Sequence, residues 1–261
     1  MKIRFLCALA LLVMISTPTA RSAHPSDSMQ TSREFKRKIT RTLCSRYLLF
    51  LPQGYQPRGA QRWPLLMFLH GSGERGRDLA KVQVHGPPKL VADRPDFPFI
   101  VVSPQCPDDE TWSDDILLAL LDEVIARHKV DPTRVYLTGL SMGGAGTWSL
   151  ALHAPERFAA VAPICGWGAT PAVTVISPKT LEALRTLGIW AFHGTKDTVV
   201  RPEESERMIA WLKSIGVRDA QLTVYPTASH NSWTEAYQNE ELYRWFLKHQ
   251  RQPASSKVKQ R

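Results

Sequence analysis

Arg134-Val-Tyr-Leu-Thr-Gly-Leu-Ser141-Met-Gly-Gly-Ala-Gly146 is the stretch on which the reading of this chain turns. An apolar run leads into Gly139-Leu-Ser141-Met-Gly143, a G-x-S-x-G pattern, and a small, apolar segment follows until Pro155. A bare match arises by chance in roughly one chain in ten of this length, so context decides. The pattern has meaning where a strand must turn sharply into a helix: the serine then takes a strained backbone conformation, and its flanking glycines keep clear of neighbouring elements. A strand expected over 134–138 and a helix expected over 141–153 supply that context, which makes Ser141 the candidate nucleophile.

Outward from this turn, short apolar runs bounded by Gly or Pro recur at 46–51, 64–69, 99–103, 159–164, 189–193 and 222–225. Such runs, apolar at successive positions, suit strands of a sheet covered by helices on both sides. Between them, 114–128 aligns Ile116, Leu117, Leu120, Leu121, Val124 and Ile125 on one stripe, with Ser113 as N-cap and Asp131-Pro132 closing the segment. Helices are also expected over 179–187, over 202–215, where Pro202 sits in the first turn and Gly216 follows, and over 234–249. Strands alternating with helices predict an α/β fold with a mostly parallel central sheet and helices on both faces. The interval between the strands ending at Ile164 and starting at Ile189 has room for one helix, so no large lid is expected.

A serine hydroxyl becomes a useful nucleophile only when a base takes its proton and a carboxylate orients that base. In doubly wound hydrolases these follow the serine in the order acid, then histidine. Ile189-Trp-Ala-Phe-His-Gly194 runs into Thr195-Lys-Asp197, and the 222–225 run leads to Pro226-Thr-Ala-Ser-His230. Both Asp197 and His230 fall just past strand ends, on the sheet edge where ligands gather in open α/β folds. Asp197 is the expected acid, with Glu203 or Glu204 as the alternative, although a turn cap is the plainer role for an aspartate there. His230 is the expected base. His24 and His249 are terminal, His128 and His153 close helices, His85 lies in a loop, and His70 and His193 each precede a Gly at a strand end, where bracing a loop is the expected role. For the oxyanion, one backbone N–H is expected from Met142, directly after the nucleophile, and the other from Ser72 in His70-Gly-Ser72-Gly73. Trp112, Trp167 and Trp233 flank these loops and are candidates to line an acyl or sugar pocket, although burial in the core is the commoner fate of a large aromatic.

The whole chain, 261 residues with 43% hydrophobic and 22% charged, has an ordinary globular composition, which excludes disordered, collagenous and coiled-coil classes. Lys2 and Arg4, an apolar run from Phe5, then Pro18 and small residues up to Ala23 read as a signal peptide over 1–22, too short in its apolar part to span a bilayer. Its removal takes away Lys2, Arg4 and Arg21 and leaves +6 of the formal +9 charge. A flexible leader over 23–39, a catalytic domain over 40–250 and a basic tail over 251–261 are expected, with no stable membrane insertion after cleavage and a secreted or periplasmic location. The remaining basicity gathers near both ends without interleaved aromatics, which argues against nucleic acid as a partner. Of the cysteines left, Cys44, Cys106 and Cys165, an odd number cannot pair fully within one chain. Buried free thiols are expected, with a Cys44–Cys106 or Cys106–Cys165 bridge as the alternative.

Leu51-Pro-Gln-Gly-Tyr55, Pro64-Leu-Leu-Met-Phe-Leu-His-Gly-Ser-Gly-Glu-Arg-Gly76, Gly139-Leu-Ser-Met-Gly-Gly144 and His193-Gly-Thr-Lys-Asp197 together resemble the α/β-hydrolase superfamily. More narrowly they are similar to its secreted esterase and peptidase group, related to the phospholipase/carboxylesterase and dienelactone hydrolase families, to polyhydroxybutyrate depolymerase-like proteins and to feruloyl or acetylxylan esterases. The resemblance covers about residues 40–250 and implies the α/β-hydrolase fold, with Ser141 as nucleophile, Asp197 as acid and His230 as base. Dienelactone hydrolases proper use a cysteine nucleophile, and this chain has serine at 141. The expectation is therefore a serine carboxylic ester hydrolase without metal or organic cofactor, acting on a small-molecule or a polysaccharide-linked or polymeric ester. A peptidase on the same fold, and a binding module that has lost catalysis, are the alternatives.

Overall fold

A computed structural model describes residues 31–171 and 173–251. The expected signal peptide, part of the expected leader and nearly all of the basic tail lie outside the described residues. The chain divides at Arg41 and Thr42. Residues 31–41 carry no helix or strand, and the description that follows concerns the unit from Thr42 onward.

Seven strands form one sheet: β1 (Arg46–Phe50), β2 (Trp63–Leu69), β3 (Ile100–Gln105), β4 (Val130–Leu140), β5 (Ala160–Ile164), β6 (Gly188–Gly194) and β7 (Ala220–Tyr225). Their order is β1-β3-β2-β4-β5-β6-β7, and every neighbouring pair is parallel except β1 with β3. The sheet is mostly parallel with one antiparallel edge strand. The apolar runs are continuous because both faces are covered. Leu65, Met67 and Leu69 of β2 point into one core, with Leu117 and Leu121 of α2 (Asp114–Arg127), Trp148 of α3 (Met142–His153) and Met208 of α5 (Glu203–Ser214). Leu66 and Phe68 point into the other, with Tyr237 of α6 (Trp233–Gln238) and Phe246 of α7 (Glu240–Lys248). The alternation is the two-residue period of a strand. Burying each such side chain contributes about 1.5–3 kcal/mol before conformational entropy is counted.

Helices α1 (Gly86–Leu90) and α4 (Pro178–Thr186) complete the set. Among the described residues the interval between β5 and β6 holds a three-residue 3-10 turn at Val173–Val175 and α4, in keeping with the expectation of no large lid, and no helix is long and apolar enough to cross a membrane.

The structure corrects several local expectations. The segment 234–249 is two helices, because Asn239 breaks the first and its side-chain oxygen accepts from the Glu241 N–H to start the second. Asp131-Pro132 lies within β4 instead of closing α2: the strand pairs Val130 with Trp63, then bulges before Val135 meets Leu65. The Asp131 carboxylate accepts from Thr133 and Arg134 and holds that bulge. Ser113 precedes α2 without a side-chain capping bond. Cys44 is exposed, since it precedes the edge strand and has no covering layer, whereas Cys106 and Cys165 are buried; all three are free. His249, read from the sequence only as terminal, is anchored through Trp245 O at 2.8 Å and Asp219 Oδ2 at 2.6 Å. His128 and His153 do not cap carbonyls: His128 Nδ1 meets the Tyr55 hydroxyl and His153 Nδ1 meets Asp114.

Candidate active site

At the end of β4 the chain reverses into α3 through Ser141, whose φ of 52° and ψ of −115° lie where non-glycine residues are rarely found. The two flanking glycines are obligatory for steric reasons. A Cβ at Gly139 would stand 2.3 Å from Gly143 O, and one at Gly143 would stand 2.0 Å from Leu69 O, in both cases against backbone. Such tightness is what leaves the Ser141 side chain half-exposed above the first turn of a helix.

The loops after β6 and β7 bring two more side chains to this point. His230 Nε2 lies 2.9 Å from Ser141 Oγ, and His230 Nδ1 lies 2.8 Å from Asp197 Oδ2. Asp197 is buried, and its two oxygens face different partners. Its Oδ1 accepts from the N–H groups of Val199 and Val200 at 2.9 Å each, as a turn cap, while Oδ2 faces His230. Burial by itself disfavours its charge, but hydrogen bonds from His230 and from the Val200 and Val199 amides prevail and hold the carboxyl below the usual range. His193, fully buried, closes the same loop: its Nε2 is 2.9 Å from Val200 O and 3.2 Å from Asp197 Oδ2, and its Nδ1 is 2.7 Å from Ser205 Oγ. Glu204, the alternative acid, is paired instead with Arg207.

Opposite, the loop after β2 is braced by His70. Its Nδ1 lies 2.6 Å from Gly71 O, and its Nε2 accepts from the Cys106 N–H at 3.0 Å. Burial lowers the pKa of this ring, as suits a histidine that must keep Nε2 unprotonated to accept. The Gly71 N–H donates to Glu74, the Trp112 Nε1–H donates to His70 O, and the Trp112 ring lies edge-on to the His70 ring with centroids 4.7 Å apart. Sequence reasoning missed Glu74 and the role of Trp112. The S/T/G-x-x-E spacing ahead of a short turn was the available signal for Glu74.

A cavity of about 640 Å³ opens over Ser141, and Ser72 and Met142 are both in its wall, together with Trp167, Val199, Val200 and Arg201. The Met142 amide is the first of α3 and so has no carbonyl partner within the helix. A second cavity, about 650 Å³, adjoins the first and shares Thr111, Met142 and Trp167 with it; Trp112 also lines it. Trp167 is 45% exposed. Trp233 borders neither: it stands edge-on to His230, with ring centroids 5.4 Å apart, and walls a separate 320 Å³ cavity near His85. Val199, Val200 and Arg201 escaped sequence reasoning, although they lie two to four residues after Asp197.

Cys165 Sγ, one Asp197 oxygen and one His230 nitrogen lie within 4.8 Å of one another and are the atoms here that a metal could use. Both His230 nitrogens are already engaged by Ser141 and Asp197, and burial pushes the Cys165 thiol up to about 12, far from the thiolate a metal needs. The arrangement suits proton transfer along serine, histidine and aspartate better than metal binding.

Residues 92–246 match the model of the dienelactone hydrolase family. Carboxylesterase SOBER1 from Arabidopsis thaliana is 32% identical over 139 residues, 53% of this chain and 59% of that protein. Poly(3-hydroxyalkanoate) depolymerase C from Paucimonas lemoignei is 33% identical over 112 residues, 34% of this chain and 27% of that protein. The chain thus covers less than two thirds of the length of either relative. Among solved structures, a thermostable esterase is similar at 32% identity with a TM-score of 0.64, covering 78% of this chain and 59% of that one. A ferulic acid esterase shares the fold at 18% identity, with a TM-score of 0.57 over 77% of this chain and 89% of that one.

Proposed function

The chain belongs to the dienelactone hydrolase family, and from that premise we propose that it is a serine hydrolase cleaving carboxylic esters through an acyl-enzyme. The observation that carries this reading is the pair of hydrogen bonds linking Ser141 to His230 and His230 to Asp197 at three strand ends. Serine in place of a cysteine needs a base in direct contact, because its hydroxyl ionises far less readily than a thiol. Ser141 Oγ–H donates to His230 Nε2, and as Oγ attacks the ester carbonyl carbon the proton passes to Nε2. The imidazolium so formed is held by Asp197, whose carboxylate stays ionised. Negative charge developing on the carbonyl oxygen is met by the backbone N–H groups of Met142 and Ser72. Collapse expels the alcohol, which takes the proton from His230, and water repeats the sequence to release the acid.

The substrates are esters of small molecules or of polysaccharide-linked or polymeric acids and alcohols, and the protein acts after export, as a secreted or periplasmic enzyme. Assays of the protein and its Ser141→Ala variant on 4-nitrophenyl esters and on peptide nitroanilides test the chemistry. Hydrolysis of the esters alone, abolished by the substitution, is expected; turnover of peptides alone, or activity that survives the substitution, overturns the reading. N-terminal sequencing of protein recovered from the culture medium or periplasm tests export, with the mature chain expected to start near Ala23.

A further inference from the structure

His193 stands near the end of β6, fully buried and polar on a strand whose neighbouring Ala191 and Phe192 are apolar. A polar side chain so placed must find its partners inside the protein, and those partners fix where its proton sits. Nε2 lies 2.9 Å from Val200 O, which can only accept, so Nε2 carries the ring proton. Nδ1 lies 2.7 Å from Ser205 Oγ of α5. Ser205 is fully buried as well, and its hydroxyl has no other partner among the described residues, so its hydrogen is directed at Nδ1. The imidazole is thereby fixed between a helix and a loop, with one donor and one acceptor, both used.

The loop that this ring holds is the one that carries Asp197. Val200 gives its N–H to Asp197 Oδ1 and its carbonyl to His193, so the imidazole fastens the turn that receives the carboxylate. The same Nε2 stands 3.2 Å from Asp197 Oδ2, the oxygen that His230 Nδ1 meets at 2.8 Å. Two amides therefore hold Oδ1, and two imidazoles stand against Oδ2. Ser205, His193, Asp197, His230 and Ser141 form one series, with a serine and histidine pair on each side of the carboxylate. The pairs differ in access: Ser141 is half-exposed and lines the cavity, whereas Ser205 and His193 are sealed off. The sealed pair touches no substrate, so its influence on the reaction passes through Asp197. Resting on the serine esterase reading above, we propose that His193, its ring set by Ser205, is a positioning residue: it ties down the Val200 carbonyl and packs Nε2 against Oδ2, so that the carboxylate keeps the one orientation in which it meets His230.

The test compares His193→Gln with His193→Met. These side chains match in length and bulk, but only glutamine offers an N–H to Val200 O. With 4-nitrophenyl acetate, kcat of the Met variant is expected to fall about ten- to a hundredfold with KM little changed, the size of effect that a small misplacement of a catalytic group produces, while the Gln variant stays within about threefold of the unaltered protein. In an Asp197→Asn background the same His193→Met change is expected to lower kcat by less than about threefold, because the group it positions is already lost. Equal losses in the Met and Gln variants, or an undiminished loss in the Asp197→Asn background, overturn the assignment. The downfield proton resonance of the His230 Nδ1–H, read by NMR without substrate, is expected to persist in the Gln variant and to vanish in the Met variant. Its survival in the Met variant overturns the proposal, and because no turnover is needed, this outcome is separate from any failure of the esterase reading. If His193→Met does not fold, Ser205→Ala decides with the imidazole left in place: a fall in kcat of about three- to tenfold with a broadened resonance upholds the series, and a kcat within about twofold overturns it.

Discussion

Ser141 and His230 meet at 2.9 Å, but the balance of forces that holds each of them there differs. Around Ser141, backbone is packed on backbone: the serine carries a strained φ, and Gly139 and Gly143 have no room for even one carbon. His230 sits in a loop that is largely exposed; its backbone packs closely on Gly194, where a Cβ would stand 2.3 Å from Ser229 O, and polar cross-links run through Asp197 to its ring and through Ala228 O and Tyr225 O to the amides of Lys196 and Thr195. Steric contact has no intermediate setting, whereas hydrogen bonds can be weakened one at a time. Changes that press on the glycine contacts should therefore act on the fold, and changes to the polar links should act on rate.

The sharpest contrast is within the serine side itself. Ser141→Ala is expected to lower kcat for 4-nitrophenyl acetate by at least about 10⁴-fold while melting remains cooperative and close to that of the unaltered protein. Asp197→Asn should cost about 10³- to 10⁴-fold in kcat, because an amide cannot accept from Val199, Val200 and His230 together and the imidazole loses its preferred tautomer. Gly143→Ala, one methyl group, should destabilise the fold by about 3 kcal/mol or more, read by urea denaturation, since Leu69 O cannot withdraw from a Cβ at 2.0 Å without moving the sheet. A stable, active Gly143→Ala protein would break the distinction between the two sides.

A smaller effect comes from pH. The buried His70 has a lowered pKa, so the folded protein keeps it neutral where the unfolded chain takes up a proton near the ordinary value of 6.5. Its contribution to stability is full above that value and declines as pH falls toward the folded pKa. Asp197, also lowered, acts in the same direction further down, its contribution present above the ordinary value of 3.8 and lost below the folded pKa. Melting temperature should fall from pH 7 to about pH 5.5, and His70→Gln, whose amide oxygen can accept from Cys106 without titrating, should flatten that slope. The least effect belongs to Trp112→Phe, which removes one hydrogen bond to His70 O and keeps the aromatic contact: kcat should drop by only about two- to fivefold, with KM for the acetate little changed.

Much of this was legible in the chain. The inner strands announced themselves because both faces are covered, so apolar character runs along them, and the partly buried edge strands β1 and β7 still kept short apolar runs. The two short helices around Asn239 were not separable, because Tyr237, Leu242, Trp245 and Phe246 face one core and keep a single periodicity across the break. Gly86–Leu90 escaped for a related reason: a five-residue helix opening with glycine and two prolines has no periodicity to read. Cys44 was misjudged because neighbouring apolar residues say nothing of whether a strand lies at an edge.

By itself the sequence determined the α/β architecture, the sharp turn at Ser141 and the order in which Ser141, Asp197 and His230 arrive at strand ends, since these depend on local periodicity and on glycine's lack of a side chain. The tertiary structure alone decided what stands between those points: His193 behind Asp197, Trp112 seated on Gly146 and bonded to His70, and the chamber past Trp167. Those arrangements join residues from separate loops, and contact between distant segments is set by how the covered sheet brings its strand ends together, which no local pattern encodes.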